Sequence, residues 1–224
     1  MTRGRLIVFE GPEGAGKTTQ LRRLDAWLEA RGTDHICVRE PGGTPLGDAV
    51  RALLLDAPRA IDPRAEALLF MASRAELVAG VIAPALDRGA LVLADRFFLS
   101  TYAYQIAGRG LDESGIRAAN ALATRGIRPD LTLVFTVPSA TRQARAARRG
   151  APDRIERAGD EFHARVERAF ASFLTPAWQA AHPESGPLVA VSADDAEPVV
   201  FDRVLAALGE RLPELAPELD ATRR

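Results

Sequence analysis

One glycine-rich segment limits the folds open to this chain. It reads Gly-Pro-Glu-Gly-Ala-Gly-Lys-Thr, and it fits the spacing G-x-x-x-x-G-K-[ST] between an apolar run and a helical pattern. Glycines let the backbone turn its N–H groups toward phosphate oxygens, and the helix start adds the positive end of its dipole. The residues expected to cradle the phosphates of ATP are Gly11, Pro12, Glu13, Gly14, Ala15, Gly16, Lys17 and Thr18.

The rest of the chain alternates short apolar runs with helical patterns, which predicts a parallel sheet covered by helices on both faces. The predicted strands are residues 5–10, 35–39, 90–95, 131–137 and 188–192. The predicted helices are residues 17–31, 47–55, 63–87, 139–148, 161–181 and 198–212, with a disturbance of 63–87 near Gly80 and Pro84, and several helical segments are predicted over 99–125. We therefore expect an α/β, doubly wound, five-stranded fold of the P-loop NTP hydrolase type. It would form one kinase-like domain over residues 1–212, with a polar tail over 213–224.

Composition excludes several other classes of protein. The formal net charge is -1, so no global positive field would attract nucleic acid or an anionic membrane. Only one cysteine, Cys37, is present, which rules out an internal disulfide and fits a reduced, cytoplasmic setting. Its predicted strand is buried, so Cys37 is expected to be a small core residue. We expect no signal peptide and no run long enough to cross a bilayer.

A second acidic position supports a nucleotide-dependent enzyme. Asp95 ends the apolar run 91–95, so it should lie beside the cradle at the carboxyl edge of the sheet and help Thr18 hold Mg²⁺. A nucleotide switch is disfavoured, because the D-x-x-G match that starts at Asp112 follows no strand and the chain lacks an Asn-Lys-x-Asp motif. Large motor and transporter ATPases need a longer chain. A small-molecule kinase remains.

Further motifs resemble those of the bacterial thymidylate kinases, a family of P-loop nucleoside-monophosphate kinases. In order, they read Phe-Glu-Gly before the cradle, Arg-Glu-Pro-Gly-Gly-Thr from Arg39, Leu-Phe-Met-Ala-Ser-Arg up to Arg74, and Asp-Arg followed by Ser-Thr-Tyr-Ala-Tyr-Gln. Arg-Pro-Asp-Leu and Asp-Arg-Ile-Glu from Asp153 complete the series. The resemblance implies Mg²⁺-dependent transfer of phosphate from ATP to dTMP, giving dTDP for dTTP biosynthesis. It also implies a homodimer and an arginine-bearing lid, here about residues 142–160.

The resemblance assigns roles in a dTMP site. Phe70 would stack on thymine, and Arg74, one helical turn later, would donate to the thymine O4 atom. Arg96 would bind the dTMP phosphate, with Arg51 as a second candidate and Arg39 as a weaker third. The remaining contacts are expected from Glu40, which organises the site, Ser100, Thr101 and Gln105 near the base edge, Tyr104 beneath the sugar, and Glu13 at the 3′-hydroxyl.

The expected catalytic groups act by alignment and charge, with no obligatory general base. They are Lys17, Arg96, Glu13 and Asp95, together with two lid arginines, Arg149 and Arg154, that would meet the transferring phosphoryl group. Arg145 and Arg148 are weaker lid candidates. The adenine pocket is expected near residues 193–196.

The chain departs from the family pattern at two positions, and two alternative functions stay open. Phe97 stands where relatives carry a polar ring, and Thr136 ends a strand where an acid is common. His35, His163 and His182 lie far apart without ligand spacing, which argues against zinc. The alternative functions are a deoxynucleoside kinase, which phosphorylates an uncharged nucleoside, and a nucleotide-binding module without catalysis.

Overall fold

The computed structural model describes residues 3–55, 60–146 and 153–215. Five parallel strands form one sheet in the order β2-β3-β1-β4-β5. The strands are β1 (Leu6–Glu10), β2 (His35–Arg39), β3 (Leu91–Asp95), β4 (Leu131–Thr136) and β5 (Leu188–Ser192). The predicted fold class and all five predicted strands are confirmed, and the strand boundaries differ by no more than a residue.

Helices cover both faces of this sheet. They are α1 (Lys17–Glu29), α2 (Pro45–Leu55), α3 (Pro63–Leu77), α4 (Ala83–Asp87), α5 (Phe98–Thr101), α6 (Glu113–Thr124), α7 (Ser139–Ala146), α8 (Asp160–Phe173), α9 (Pro176–Ala181) and α10 (Glu197–Arg211). Two π-helical segments, Val78–Ile82 and Tyr102–Gly108, continue α3 into α4 and extend α5. Short 3₁₀ turns cover Pro183–Ser185 and Pro213–Leu215. The rest of the tail lies outside the described residues.

The side chains of the central strand β1 point alternately to the two faces of the sheet, and the core is divided into two layers. Leu6 and Val8 of β1 point into one cluster, whereas Ile7 and Phe9 point into the other, because successive strand side chains face opposite sides of a sheet. The first cluster includes residues from α3, α4 and α8, and the second includes residues from α1 and α10. All five residues of β1 are buried, as expected for a central parallel strand.

One helical prediction needs correction. The predicted helix 161–181 is divided into α8 and α9, because Thr175 caps a new helix that begins at Pro176, and proline lacks the N–H that a continuous helix needs. The helical segments predicted over residues 99–125 are confirmed, and they separate near residues 109–112, where Asp112 accepts a hydrogen bond from the N–H of Gly115 and starts α6.

The long helix 63–87 is correctly predicted, but it overturns the expectation that no run could reach across a bilayer. Among the described residues, one helix, Pro63–Asp87, is long and apolar enough to do so by length and composition alone. It carries buried Glu66 and Arg74, and both make ion pairs within the fold. Core helices of soluble proteins pass the same length and composition test, and here the helix packs in the first core cluster.

Topology places the carboxyl ends of β1 and β3 at the same edge of the sheet. Phe9 is in register with Asp95, so the cradle after β1 lies directly beside the Asp-Arg pair that ends β3. The chain after β1 turns toward α1 on one side of the sheet, and the chain after β3 enters α5 on the other. Such a crevice is where ligands bind in open α/β sheets.

Candidate active site

Left-handed glycines shape the cradle. Gly14 and Gly16 have φ angles of 78° and 87°, a region that residues with a Cβ atom seldom adopt. A Cβ atom on Gly11 would lie 2.7 Å from the carbonyl oxygen of Phe135, so only glycine fits there without a shift of β4. The backbone therefore has the curvature that a phosphate-binding loop requires.

Lys17 is held at the centre of this loop. Its Nζ atom donates to the carbonyl oxygens of Gly11 and Pro12 at 3.0 and 2.9 Å. Burial lowers the pKa of Lys17 to about 8, with the charge of Arg96 adding to the effect and three nearby carboxylates opposing it. The ammonium group is thus enclosed and poorly solvated, which strengthens its attraction to any phosphate that enters.

The two predicted metal ligands lie together. The Thr18 hydroxyl donates to Oδ2 of Asp95 at 2.6 Å, and Thr18 is exposed while Asp95 is partly buried. Two oxygen ligands at the rim of a phosphate cradle form the donor set that Mg²⁺ prefers. The residues present therefore fit a magnesium ion that would also contact the nucleotide.

Arg96 connects the cradle to a second cavity. Its guanidinium donates to the carbonyl oxygen of Gly11 at 3.2 Å, to Ser100 Oγ at 2.9 Å and to Glu13 Oε2 at 3.0 Å. It also lies 5.2 Å from the ring centre of Tyr104. The φ angle of Arg96 is 76°, an unusual value for a residue with a long side chain, and such backbone strain is concentrated at functional sites.

Arg39, the weaker phosphate candidate, does not line this cavity, but the other ten residues predicted to bind the second substrate do. They are Glu13, Glu40, Arg51, Phe70, Arg74, Arg96, Ser100, Thr101, Tyr104 and Gln105. Sequence reasoning missed six further lining residues, namely Pro41, Leu55, Asp153, Ile155, Glu156 and His163. The Arg-Glu-Pro and Asp-Arg-Ile-Glu motifs signalled four of them, whereas Leu55 and His163 carry no local signal. The fold thus brings the predicted set together, while each contact with a ligand stays a prediction.

Arg74 is more deeply built into the structure than expected. It is 2% exposed, and its Nε–H donates to Glu40 at 2.9 Å. The two terminal nitrogens donate to Glu40, Thr101, the carbonyl oxygen of Phe97 and Asn120. A guanidinium has five N–H donors, and these partners use them all. A hydrogen bond to thymine O4 would therefore have to share a donor with one of these partners.

Glu40 is the charge partner of Arg74. Burial raises the pKa of Glu40, and the nearby carboxylate of Glu10 adds to this effect, whereas Arg74 opposes it. The side chains of Glu40 and Arg74 are both at least nine-tenths buried. The expected organising role of Glu40 thus has a physical basis, since it fixes the position of the guanidinium at the cavity wall.

Glu10 is buried and positions the backbone beside Arg96. The sequence predicts it only as the end of a strand. Its carboxylate accepts from the N–H groups of Phe97 and Ser100 at 2.7 and 3.0 Å and from Ser100 Oγ at 2.7 Å. These bonds fix the start of α5 on both sides of residue 98, and thereby the backbone next to Arg96. The acid in the Phe-Glu-Gly motif was the available signal.

The Asp-Arg-Ile-Glu motif forms a reciprocal turn. Asp153 Oδ1 accepts from the N–H groups of Ile155 and Glu156 at 2.8 Å, and the N–H of Asp153 donates to Glu156 Oε2 at 2.9 Å. This is the arrangement of a capping box, and it explains why acids are needed at the first and fourth positions. The turn orients the side chain of Arg154.

That side chain does not lie at the cradle. Arg154 donates to the carbonyl oxygen of Leu54 at 2.7 Å and to Glu66 Oε2 at 2.6 Å. Glu66 also accepts from Arg109 at 3.0 Å and from Gln105 at 3.2 Å. Burial alone would raise the pKa of Glu66, but hydrogen bonds from Arg109 and Arg154 hold it below its ordinary value. The predicted phosphoryl contact of Arg154 would require these bonds to break.

Arg145, ranked lower from the sequence, is the described α7 arginine whose guanidinium bonds to the cradle, while the backbone and Cγ of Arg142 lie beside Gly14. It donates to the carbonyl oxygen of Gly14 at 3.4 Å and to that of Ala193 at 2.9 Å. It therefore links the cradle to the loop where the adenine pocket is expected. Arg149 and Arg148 lie outside the described residues. Arg142 is turned toward Glu167, which it contacts at 2.6 Å.

The structure corrects one other expectation. Cys37 is exposed on the edge strand β2, not buried. Its thiol donates to Asp25. β2 pairs only with β3 among the described strands, so one edge and part of its outer face stay open. The apolar run predicts a buried strand, but a strand at the edge of a sheet leaves some of its side chains exposed.

The fold and the site together define a P-loop kinase with an adjoining cavity for a phosphorylated, ring-bearing substrate. The family model for thymidylate kinase matches residues 9–184, and the chain belongs to the thymidylate kinase family. It is 46% identical over 211 residues to the thymidylate kinase of Deinococcus radiodurans, covering 94% of this chain and 99% of that protein. It is 45% identical over 215 residues to that of Chromohalobacter salexigens, covering 95% and 98%.

A solved structure is also similar. The crystal structure of thymidylate kinase from Ehrlichia chaffeensis matches with a TM-score of 0.71 and 31% sequence identity, covering 92% of this chain and 98% of that chain. The match extends over almost the whole domain, so the family resemblance seen in the motifs holds for the fold as well.

Proposed function

We propose that this protein transfers the γ-phosphoryl group of ATP to the phosphate of dTMP, giving ADP and dTDP for dTTP synthesis. The observation that carries the proposal is the single cavity that unites the predicted dTMP residues beside the cradle. Arg96 joins the two, because it contacts Gly11 and Glu13 of the cradle while lining the cavity. Donor and acceptor phosphates bound in these two places would meet at Arg96.

The charges in the cavity favour a phosphorylated substrate over a free nucleoside. Burial lowers the pKa of Arg51, and the nearby charge of Arg39 lowers it further. Arg96 lines the same cavity. Arg39 and Arg51 repel one another until an anion enters, and a phosphate dianion can accept from several guanidinium groups at once. A neutral 5′-hydroxyl would leave that repulsion in place, which argues against the deoxynucleoside kinase alternative.

The polar wall of the cavity suits thymine. Glu66 accepts from Nε2 of Gln105, so the Oε1 atom of Gln105 remains to accept from the N3–H of thymine. Thr101 Oγ1 accepts from Arg74, so its own proton is available for thymine O4. Cytosine has an acceptor at N3 and an amine at C4, and it would face both groups with the wrong polarity. Thr101 would thus supply the O4 donor that the sequence assigned to Arg74.

Transfer then depends on alignment and charge. Lys17 would neutralise charge on the β and γ phosphates, and Arg96 would hold the acceptor phosphate. Thr18 and Asp95 would hold the magnesium ion, which would supply positive charge beside the phosphates of ATP. Glu13 would orient the sugar through its 3′-hydroxyl. No side chain has to remove a proton, since the acceptor is a phosphate oxygen.

The arginines past β4 would close the site. Arg145 already contacts the cradle carbonyl of Gly14, so it needs little movement to meet a bound nucleotide. Arg154 and Arg149 would act later, with Arg154 exchanging Glu66 for the phosphoryl group. The proposed lid is therefore about residues 142–160. It belongs to a single proposed domain over residues 1–212.

The working form is proposed to be a cytoplasmic homodimer that binds neither nucleic acid nor membrane. Leu53 on α2, Leu68 on α3 and Leu122 on α6 are 59%, 64% and 82% exposed. These three helices pack side by side, since α3 contacts both α2 and α6. Exposed leucines on adjoining helices are typical of a surface that a partner covers. The net charge of -1 fits the proposal that the protein binds neither nucleic acid nor membrane. The thiol of Cys37, which forms no disulfide, fits a cytoplasmic setting.

One assay tests the central proposal. The protein is incubated with ATP and Mg²⁺ together with dTMP, dCMP or thymidine, and ADP is followed. We expect turnover with dTMP, much less with dCMP, and none above background with thymidine. Turnover with thymidine but not dTMP would instead identify a deoxynucleoside kinase. ATP binding without ADP from any acceptor would identify a module without catalysis.

A further inference from the structure

Three potential metal ligands meet on the edge of the sheet away from the cradle. His35 and Cys37 are two residues apart on β2, so their side chains share one face. That face meets α1, which supplies Asp25. Asp25 Oδ1 lies 3.0 Å from His35 Nε2 and 3.1 Å from Cys37 Sγ, and the ligand atoms all lie within 4.8 Å of one another.

The hydrogen bonds of His35 leave its Nε2 atom facing a carboxylate oxygen of Asp25. His35 Nδ1 lies 2.8 Å from the carbonyl oxygen of Thr33, which can only accept, so the proton of a neutral ring is on Nδ1. Nε2 then directs a lone pair at a carboxylate oxygen of Asp25. Two acceptors at this distance require a proton or a cation between them.

We propose that Asp25, His35 and Cys37 form a zinc-binding site with water in the fourth position. Imidazole nitrogen, thiolate sulfur and carboxylate oxygen are the ligands that Zn²⁺ takes in proteins. The hydrogen bond from Nδ1 to Thr33 is the outer contact that commonly orients a histidine ligand. Cys37 is exposed and the Asp25 side chain is 48% exposed, which leaves a path for the ion.

Binding can be written with its protons balanced. Zn²⁺ replaces the thiol proton of Cys37 and, where His35 is charged, its Nε2 proton, and both protons go to solvent. Thiolate and carboxylate then neutralise the two charges of the ion. The wide spacing of the three histidines in the sequence argued against zinc, but two of the three ligands here are not histidines.

The ion would connect α1 to the edge strand. Among the described strands β2 pairs only with β3, and it leads through Arg39 into Glu40, which lines the substrate cavity. A ligand that binds the folded chain alone stabilises it by mass action. Zinc bound here would therefore raise the thermal stability of the protein without contacting the catalytic groups.

The test uses nucleotide-free protein with its thiol kept reduced and with millimolar Mg²⁺ to fill oxygen sites such as Thr18 and Asp95. Zinc uptake is measured by equilibrium dialysis, and Co²⁺ replaces zinc for absorption spectroscopy. The variants are Cys37→Ser, His35→Gln and their double. Asp34→Asn is the matched control, since it removes a neighbouring acid that pairs with Arg88. Circular dichroism verifies that each variant folds.

We expect one zinc per chain in the wild type and in Asp34→Asn. Affinity should fall by roughly tenfold or more in each single variant. The Co²⁺ protein should show a thiolate-to-metal charge-transfer band that disappears in Cys37→Ser. Equal zinc uptake by the wild type and the folded double variant would overturn the proposal, as would a Co²⁺ spectrum without the thiolate band. In that case the group is a hydrogen-bonded His-Asp pair with an exposed thiol.

Discussion

Individual charged side chains around this site are buried, and burial determines what each can do. Lys17 and Glu40 are at most 7% exposed, and Arg74 is 2% exposed. An enclosed charge interacts strongly with its neighbours, but it is costly to leave without a partner. Substitutions at these positions therefore affect both chemistry and stability, and the two must be measured separately.

The titration of Lys17 should appear in ATP kinetics. Its pKa of about 8 in the free protein is below the unfolded value, so raising the pH through 8 removes the charge that attracts phosphate. We expect kcat/KM for ATP to fall about tenfold per pH unit above that point. In Lys17→Arg, which keeps its charge, any residual activity should lack this inflection. A wild-type profile that stays flat to pH 9.5 would contradict the prediction.

Thr101 should control the choice of base. Thr101→Val removes the hydroxyl at nearly constant volume, so KM for dTMP should rise roughly 5- to 150-fold, the effect of about 1–3 kcal/mol. Discrimination against dCMP should weaken as well. Thr101→Ser keeps the hydroxyl and should behave like the wild type in the same steady-state assay. If valine and serine variants both keep wild-type values, the O4 donor is another group.

Arg74 and Glu40 should behave as a coupled pair. Arg74→Ala leaves Glu40 buried without a partner, and we expect about 3–5 kcal/mol of lost stability in urea unfolding. Replacing both charges, with Arg74→Met and Glu40→Gln together, should recover a large part of that loss. A stable Arg74→Ala protein that merely loses base selectivity would instead show that Arg74 acts through a direct contact with thymine.

At the scale of secondary-structure elements, the site depends on how strands and helices end. The cradle follows β1, Arg96 follows β3, and Glu10 ties the two ends together through Ser100. The turn at residues 153–156 is anchored to the end of α2, because Arg154 donates to Leu54 and its N–H donates to Leu55. The proposed lid is thus attached to the wall of the substrate cavity.

Variants of the arginines on these elements distinguish a contact with the phosphates from a purely structural role. Arg145 contacts the cradle, so Arg145→Ala should lower kcat or raise KM for ATP by about tenfold. Arg142→Gln, on the same helix, keeps the methylenes beside Gly14 and removes only the guanidinium paired with Glu167, so it is the matched control and should retain wild-type kinetics. Arg154→Ala should lower kcat with little change in stability if Arg154 meets the phosphoryl group.

A different result would follow if Arg154 serves only to anchor the turn. Loss of its bond to Glu66 would then lower the melting temperature and raise KM for dTMP, while kcat stayed near the wild type. Arg149→Ala, measured alongside, tests the lid arginine that lies outside the described residues. Wild-type kcat in Arg149→Ala, in Arg154→Ala and in their double variant would refute the transition-state role of both.

At the scale of the whole molecule, the two faces of the sheet carry different surfaces. The face with α2, α3 and α6 exposes Leu53, Leu68 and Leu122, whereas α10 on the other face exposes Val199 at 43%. We expect Leu53→Glu with Leu68→Glu to convert a dimer to a monomer in light scattering, since each charge would be desolvated at the interface. Val199→Glu should leave the mass unchanged. A wild-type protein that is already monomeric would contradict the homodimer.

The resemblance to a known family, and not a local pattern, implied ten of the residues that line the substrate cavity. The sequence by itself determined the strand-helix alternation and the cradle. These follow from local patterns, because hydrophobic period, glycine placement and motif spacing are properties of short segments. The register of Phe9 with Asp95 then brought the motifs together, as the parallel fold requires. The same patterns also predicted the long helix 63–87.

Only the tertiary structure decided which partners the charged groups take. The sequence gives no ion-pair partner for Arg74 or Arg154. In the structure Arg74 pairs with Glu40 and Arg154 pairs with Glu66, and both acids lie on distant segments of the chain. The exposure of Cys37 depended on strand order, since an apolar run reads alike in a central strand and an edge strand. Asp25 reached His35 and Cys37 through the packing of α1 on β2. Long-range packing fixes such pairings, and no local pattern encodes them.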